Sequence, residues 1–397
     1  MAINITRSDS IIGLEEESTE GTYVAPSANT SYTSVLPNFS MNPIKDLLVR
    51  DIITGSKALA TPRIGKRSVE ASLEVEFRAS GTEGGEPDFH SLLHAALGGE
   101  SSVAAQNTTK ATGNTGTVLQ IEDADIGDYS VGDIIVVLES GAHDMNVITA
   151  VDSTGGAANI TVSPGKSSGS YSNSVVISKT KMYFGADTGH PTLSLSYYWG
   201  NEIRQAGLGM RVNSMSLNNF LTGQTASWGF NLEGMDFTEV DGAAPHTPSY
   251  DDETPPILLN ACVYQDGTSI DIQNFNMTVT NTNGFLESPC SSSGRLAGNM
   301  VRREITGSFN VYKDDTSVSQ FTNFEDNTTF SLFITAYNPS STTGEIDLGS
   351  AVGIYLPSCI ITAKPVEDVD GVLVDAISFQ ATGGTTGDSI DIYVGLI

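Results

Sequence analysis

The side chains best equipped for chemistry are His90 and His94, four positions apart in EPDFHSLLHAALGG. On a helix that spacing puts both imidazoles on one face, where they could share a metal, but the glutamate of a zinc-hydrolase HExxH pattern is missing. The better reading is a solvated helix flank. Ser163-Pro164-Gly165-Lys166 spells the SxxK of acylating serine enzymes without their companion motifs, and its Pro-Gly centre reads as a turn. Asp251, Asp252 and Glu253 could hold calcium on an exposed loop, but they lack EF-hand spacing and read as a solvated linker. Cys262, Cys290 and Cys359 are odd in number and far apart, so neither a disulfide framework nor a zinc site follows. There is no Walker loop or GxSxG elbow, and carboxylates are too numerous for any pair to single itself out as a glycosidase site. The expectation is a protein with no catalytic residues, no cofactor and no metal.

Composition narrows the class further. Acids outnumber Lys and Arg by 47 to 19 in 397 residues, for a formal charge of −28. That balance argues against tight phosphate binding, which needs clustered cations. No apolar run approaches the roughly 20 residues that cross a bilayer, so membrane insertion is not expected. The opening MAINITRSDSII lacks the apolar core of a signal peptide, which points to synthesis and assembly in a cytoplasm. Abundant Gly, Ser, Thr and Asn with little helical periodicity indicate a mainly β protein.

The elements that would position any functional surface occur twice. RIGKRSVEASLEVEF, 63–77, returns as NMVRREITGSFNVYK, 299–313, at an offset of 236, and NFSM at 38–41 returns as NFNM at 274–277 without a gap. Gly209-Met210 on Gly353-Ile354 and Ser214-Met215 on Ser358-Cys359 give an offset of 144, which implies an insertion of 92 residues in the first copy. The texture changes to short strands and Gly- and Asp-rich turns between 101 and 189. The organisation expected is a first unit from 1–100 and 190–240, an inserted small β-barrel or β-sandwich domain at 101–189, a stiff acidic linker at 241–256 and a second unit at 257–397.

Strict alternation orients the repeated strand. Val69, Leu73, Val75 and Phe77 face a sandwich core, with Trp228 and Phe230 in the same copy and Ile305, Phe309, Val311 and Phe379 in the other. Glu70, Glu74, Glu76, Asn231, Glu233, Glu304 and Asn310 face the opposite side. The polar connections Pro43–Gly65 and Asn281–Gly298 exceed ordinary hairpin loops, and their length suggests the same task done twice.

GLEEESTEGTYVAP, the long connection into GKRSVEASLEVEF, PDFHSLLHAALG, MRVNSMSLNNF, WGFNLEG and the closing FQATGG and IDIYVGLI together resemble the tail tube proteins of long-tailed bacteriophages. The resemblance covers most of the chain outside the insertion and rests on alternation and glycine placement. It implies a mainly β virion protein of two tandem β-sandwich units, each with a short flanking helix, that close into rings with an inner sheet lining a channel, and whose rings stack into a tube. Two units per chain make the ring a homotrimer with pseudo-sixfold symmetry. The outward acids then line a duct for DNA that is not specifically bound. Pro43, Asp46, Arg50, Asp51, Lys57, Arg63, Asn283 and Arg295 lie in the loops expected to contact the next ring. Further partners implied are the tape measure, terminator and distal tail proteins, and the insertion should decorate the exterior. The competing readings are another phage β-protein, of capsid or baseplate, and an acidic carbohydrate-binding surface protein.

Overall fold

The computed structural model describes residues 5–397 apart from 54, 56, 59, 141, 154–157, 314–316, 370 and 384–389. It is mainly β, with helices at His90–Leu97 and Ser317–Asp326. The first helix buries Leu92, Leu93, Ala96 and Leu97 and stops at Gly98, whose φ of 87° suits a residue without a Cβ.

Eight strands form one antiparallel ladder through both copies. Their order is Ser40–Arg50, Ala60–Glu76, Ser227–Gly234, Ile203–Leu221, Ile272–Glu287, Arg295–Tyr312, Val372–Ala381 and Val352–Ala363. The first four belong to the first copy and the last four to the second. The copies meet where Ser214 pairs with Thr280 and Leu217 with Met277.

Ladder register shows how faithfully the repeat is built. Ser40 pairs with Ser72 and Lys45 with Arg67, and 236 residues later Asn276 pairs with Ser308 and Asn281 with Arg303. The second offset is corrected. Val212 pairs with Leu232 and Ser214 with Asn231 across a bulge, and the same bulge recurs where Ile361 pairs with Phe379 and Ala363 with Ser378. Met210 therefore corresponds to Cys359, an offset of 149 rather than 144. A bulge inverts the alternation, so Met210 and Met215 are both buried, and a five-residue slip still matched an apolar residue to Cys359. Phe379, matched in the sequence to Phe230, corresponds instead to Leu232. It lies opposite Gly307, where a Cβ would sit 2.5 Å from its ring.

The long connections are not loops. Pro43, Asp46 and Arg50 lie in the strand Ser40–Arg50, Arg63 in Ala60–Glu76, Asn283 in Ile272–Glu287 and Arg295 at the start of Arg295–Tyr312. Only Asp51 and Lys57 remain in a turn, and residues 54, 56 and 59 of that turn lie outside the described residues. Pro43 suggested a break. It is tolerated because Ser40–Arg50 is an edge strand whose only partner among the described residues is Ala60–Glu76.

The apolar face of the ladder packs against outer strands. In the first copy these are Ile11–Glu16, Leu193–Trp199, the first half of Ile203–Leu221 and Asp236–Asp241. In the second they are Ala261–Gln265, Phe330–Ala336, Val352–Ala363 and Tyr393–Leu396. One continuous core joins both copies, with Leu92, Leu193, Trp228, Phe275, Ile334 and Val394 among its members.

Between Asn107 and Ile177 the chain builds a separate six-stranded sheet with its own core around Leu119, Ile135, Ile148 and Ile160. Gly98–Val103 and Thr180–Gly185, which lead into and out of it, pair with each other, and Thr180–Gly185 also extends the second copy's outer sheet through Tyr393–Leu396. The excursion does not stand clear. Ile134, Val136 and Met145 pack on Phe333, Ile346 and Ile397, and Gly353 and Gly395 leave room for Ile134, which a Cβ at either would approach to 2.8 Å.

Residues 241–256 are held to the first copy by hydrogen bonds while most of their side chains stay exposed. Ser249 N–H donates to Asn29 O and His246 N–H to the Tyr32 hydroxyl. Asp251 accepts from the Asp88 N–H at 2.7 Å and lies 3.5 Å from the buried Arg78 guanidinium.

Candidate assembly surface

The face of the ladder turned away from the core is polar from end to end, because directly opposed residues share a face. Glu70 opposes Glu233, Ser72 opposes Asn231, Asn231 opposes Ser214, Ser214 opposes Thr280, and Thr280 opposes Glu304. The next row runs Glu74, Gly229, Ser216, Thr278, Thr306 and Gln380. All seven residues assigned to this face by alternation are exposed or half-buried, whereas Val69, Leu73, Val75, Phe77, Trp228, Phe230, Ile305, Phe309 and Phe379 are buried. Val311 is half-buried against the same core.

The acids on this face are not equivalent. Glu70 and Asn231 are exposed. Glu233 is held by Arg295 at 2.6 Å, which relieves the repulsion of two carboxylates placed opposite one another. Glu74 accepts from Asn38, Asn218 and Ser227. Glu76 lies 3.6 Å from Arg78, and Glu304 lies 3.3 Å from Arg302. Asn310 N–H donates to Asn274 Oδ1 at 3.1 Å. In the second copy most of the corresponding positions are uncharged, so the acidity is concentrated in the first.

Two hairpins project beyond the sandwich. The first exposes Leu47, Leu48, Val49, Ile53 and Ile64, and the second exposes Leu286, Leu296 and Val301. The second leans over the first copy. Its Glu287 carboxylate is 2.5 Å from Lys66 Nζ, its Ser293 O accepts from Arg67 N–H at 3.0 Å, and Asn283 Nδ2 donates to Val212 O at 3.1 Å. Lys45, Asp46, Arg50, Asp51, Lys57 and Arg63 of the first hairpin are exposed.

Sequence reasoning aligned Arg67 with Arg303 but gave neither a role. Arg67 Nε lies 3.0 Å from Asp236, and Arg303 bonds Asp391 at 2.9 Å. Register makes Asp236 and Asp391 equivalent, since Ala206 pairs with Thr238 and its counterpart Tyr355 with Tyr393, and each aspartate stands two residues before that paired residue. Each copy thus clamps its inner ladder to its outer sheet with the same Arg–Asp bridge. An identical arginine at the repeat offset was the signal available in the sequence.

The groups that suggested chemistry are occupied otherwise. His94 Nδ1 lies 2.7 Å from Glu16, whose hydrogen bond holds the imidazole pKa above its usual range against the effect of burial. His90 is beside Ser91. Lys166 of the SxxK turn pairs with Glu139 at 2.5 Å. Burial pushes the Cys359 thiol pKa far up, while Cys262 and Cys290 are exposed and unlinked. Among the described residues there is no group of three or more His, Cys, Asp or Glu placed to hold a metal, and no helix is long and apolar enough to cross a membrane.

What the fold presents is a sheet with one wet face and two open ends. No curated protein matches the chain. The family model described as phage tail tube protein matches residues 7–384, which spans both copies and the excursion between them. The chain belongs to the phage tail tube protein family.

Proposed function

We propose that three chains close into a ring, that rings stack into the tail tube, and that the polar ladder face lines the channel through which the genome leaves. The observation that supports this best is the eight-stranded ladder ending in two unlike open edges, Ser40–Arg50 on one side and, on the other, residues 360–363 with Val366–Val369, whose partner among the described residues is Val372–Ala381. Unlike edges join head to tail, and a head-to-tail contact gives a closed ring when its rotation closes. An open edge is otherwise a liability that soluble proteins shorten or cover. Three chains supply about 24 strands, which at ~4.8 Å spacing and ~40° tilt give a backbone diameter of roughly 48 Å. Side chains reduce the bore to roughly 38 Å, leaving about one Debye length on each side of duplex DNA. Acids at that distance repel weakly and bind nothing, so the duct is non-adhesive and the protein acts without catalysis.

The paired hairpins, with their exposed leucines and isoleucines, are the contacts to the next ring, and the virion tail is where the assembly resides. The first and second units and the inserted domain follow the division given above, with the inserted domain on the exterior. Tape measure, terminator and distal tail proteins are the partners at the ends and in the bore. Negative-stain microscopy of purified protein tests the reading. Tubes or rings with threefold symmetry are expected, and a protein that stays monomeric at tens of micromolar under all salt conditions would overturn it.

A further inference from the structure

The chain contains one copy-to-copy joint within itself, and we infer that the joint between chains repeats it residue for residue. This rests on the ring reading above and specifies which strand atoms meet. Inside the chain, the strand Ile203–Leu221 of the first copy is paired with Ile272–Glu287 of the second. The open edges carry the counterparts of these two strands. Ser40–Arg50 corresponds to Ile272–Glu287 at an offset of 236, and Val352–Ala363 with its continuation Val366–Val369 corresponds to Ile203–Leu221 at 149.

Transferring the register gives definite pairs. Ser214 opposite Thr280 becomes Ala363 opposite Ile44 of the next chain, and Leu217 opposite Met277 becomes Val366 opposite Met41. Leu217 and Met277 are both buried at the internal joint; of their counterparts Met41 is buried in the single chain, whereas Val366 is 50% exposed. Val366 stands where a neighbour is missing. Phe220 meets Phe275 edge to face in the internal joint, with ring centroids 5.9 Å apart. Its counterpart Val369 then meets Phe39, which with Ile12 and Tyr197 walls an apolar groove of about 430 Å³ at the open edge.

Charge supports the same superposition. The internal joint is bridged by Lys66 and Glu287. The residues 236 positions away are Arg302 and Asp51, again a cation and an acid, and both are exposed. Arg302 lies 3.3 Å from Glu304 within its own chain and remains 66% exposed. The order of the signs is kept: the base of the Ala60–Glu76 type of strand carries the cation, and the incoming hairpin carries the acid. Exposed pairs of this kind add little affinity but penalise a wrong register.

Cross-linking decides the matter. In a Cys262→Ser/Cys290→Ser background, Ile44→Cys with Ala363→Cys should give covalent dimers and a closed trimer on treatment with a short bis-maleimide. Leu47→Cys with Ala363→Cys, three residues out of register, should not. Asp51→Arg or Arg302→Asp alone should raise the protein concentration needed for tubes a few-fold, and the pair together should restore it. If tubes form but the out-of-register pair links in preference, or the charge exchange fails to restore assembly, the inference falls while the ring stands. If the background protein forms no multimer, the ring reading falls with it.

Discussion

At the scale of the residue, the charges that matter for stability were the least legible. Asp133 is 6% exposed in the inserted sheet, and burial raises its pKa to about 6 despite a hydrogen bond from Ser130 N–H. Between pH 4 and 6 the folded protein therefore holds a proton that the unfolded chain has released, so unfolding free energy falls as pH rises through that window. Asp133→Asn keeps the acceptor for Ser130 and removes the charge. Urea titrations from pH 4 to 7.5 should show the variant gaining up to about 2–3 kcal/mol on the wild type by pH 7, with the gain vanishing toward pH 4. A constant difference across the range would mean that Asp133 is solvated. Sequence reading saw only one more acid in an acidic chain. Desolvation depends on what packs above a side chain, and strand periodicity reports the face of a residue without reporting its cover. The Arg67–Asp236 and Arg303–Asp391 bridges escaped for the related reason that their partners are far apart in sequence.

At the scale of the element, alternation read the buried face of the repeated strand directly, from Val69 to Phe77 and from Ile305 to Phe309. It misjudged where the strands ended. Pro43, Pro62 and Gly65 are breakers in a central strand, but here they belong to a two-stranded hairpin with solvent on its flanks, where a missing donor costs little. Among its described residues the projecting part bears the exposed apolar side chains Leu47, Leu48, Val49, Ile52, Ile53 and Ile64, and it contributes little to the monomer's core. Leu47 and Ile64 oppose each other, so joining them through Asn-Gly and removing Leu48–Arg63 makes a two-residue hairpin in register. The shortened protein should unfold within about 1 kcal/mol of the wild type, since exposed segments contribute little. Microscopy should then show rings without tubes. Tubes of ordinary length would show that stacking uses another surface.

At the scale of the molecule, duplication lets one chain do what identical single units cannot, which is to make neighbouring positions around a channel differ. The first copy presents Glu70, Glu74, Glu76 and Glu233 on the polar face, where the second presents Thr306, Asn310 and few acids beyond Glu304. Three chains in a ring would alternate acidic and neutral sectors. In the proposed ring, acidic sectors would keep DNA off the wall, and neutral sectors would limit the self-repulsion that a chain of −28 already carries. In such a channel the acids act at a distance rather than through contact, unlike acids with a purely structural role. Glu70 and Asn231 are the positions to change, because both are exposed, whereas Glu74 is tied into its hydrogen bonds. Glu70→Lys/Asn231→Lys should leave tubes normal in length and diameter, since a lysine at 70 faces Glu233 across the ladder. Phage carrying the pair should release DNA more slowly, most strongly at low ionic strength, where the Debye length grows from about 8 Å toward 30 Å and the new cations reach the phosphates. Release at the wild-type rate at low salt, from tubes of normal appearance, would mean that this face does not border the DNA.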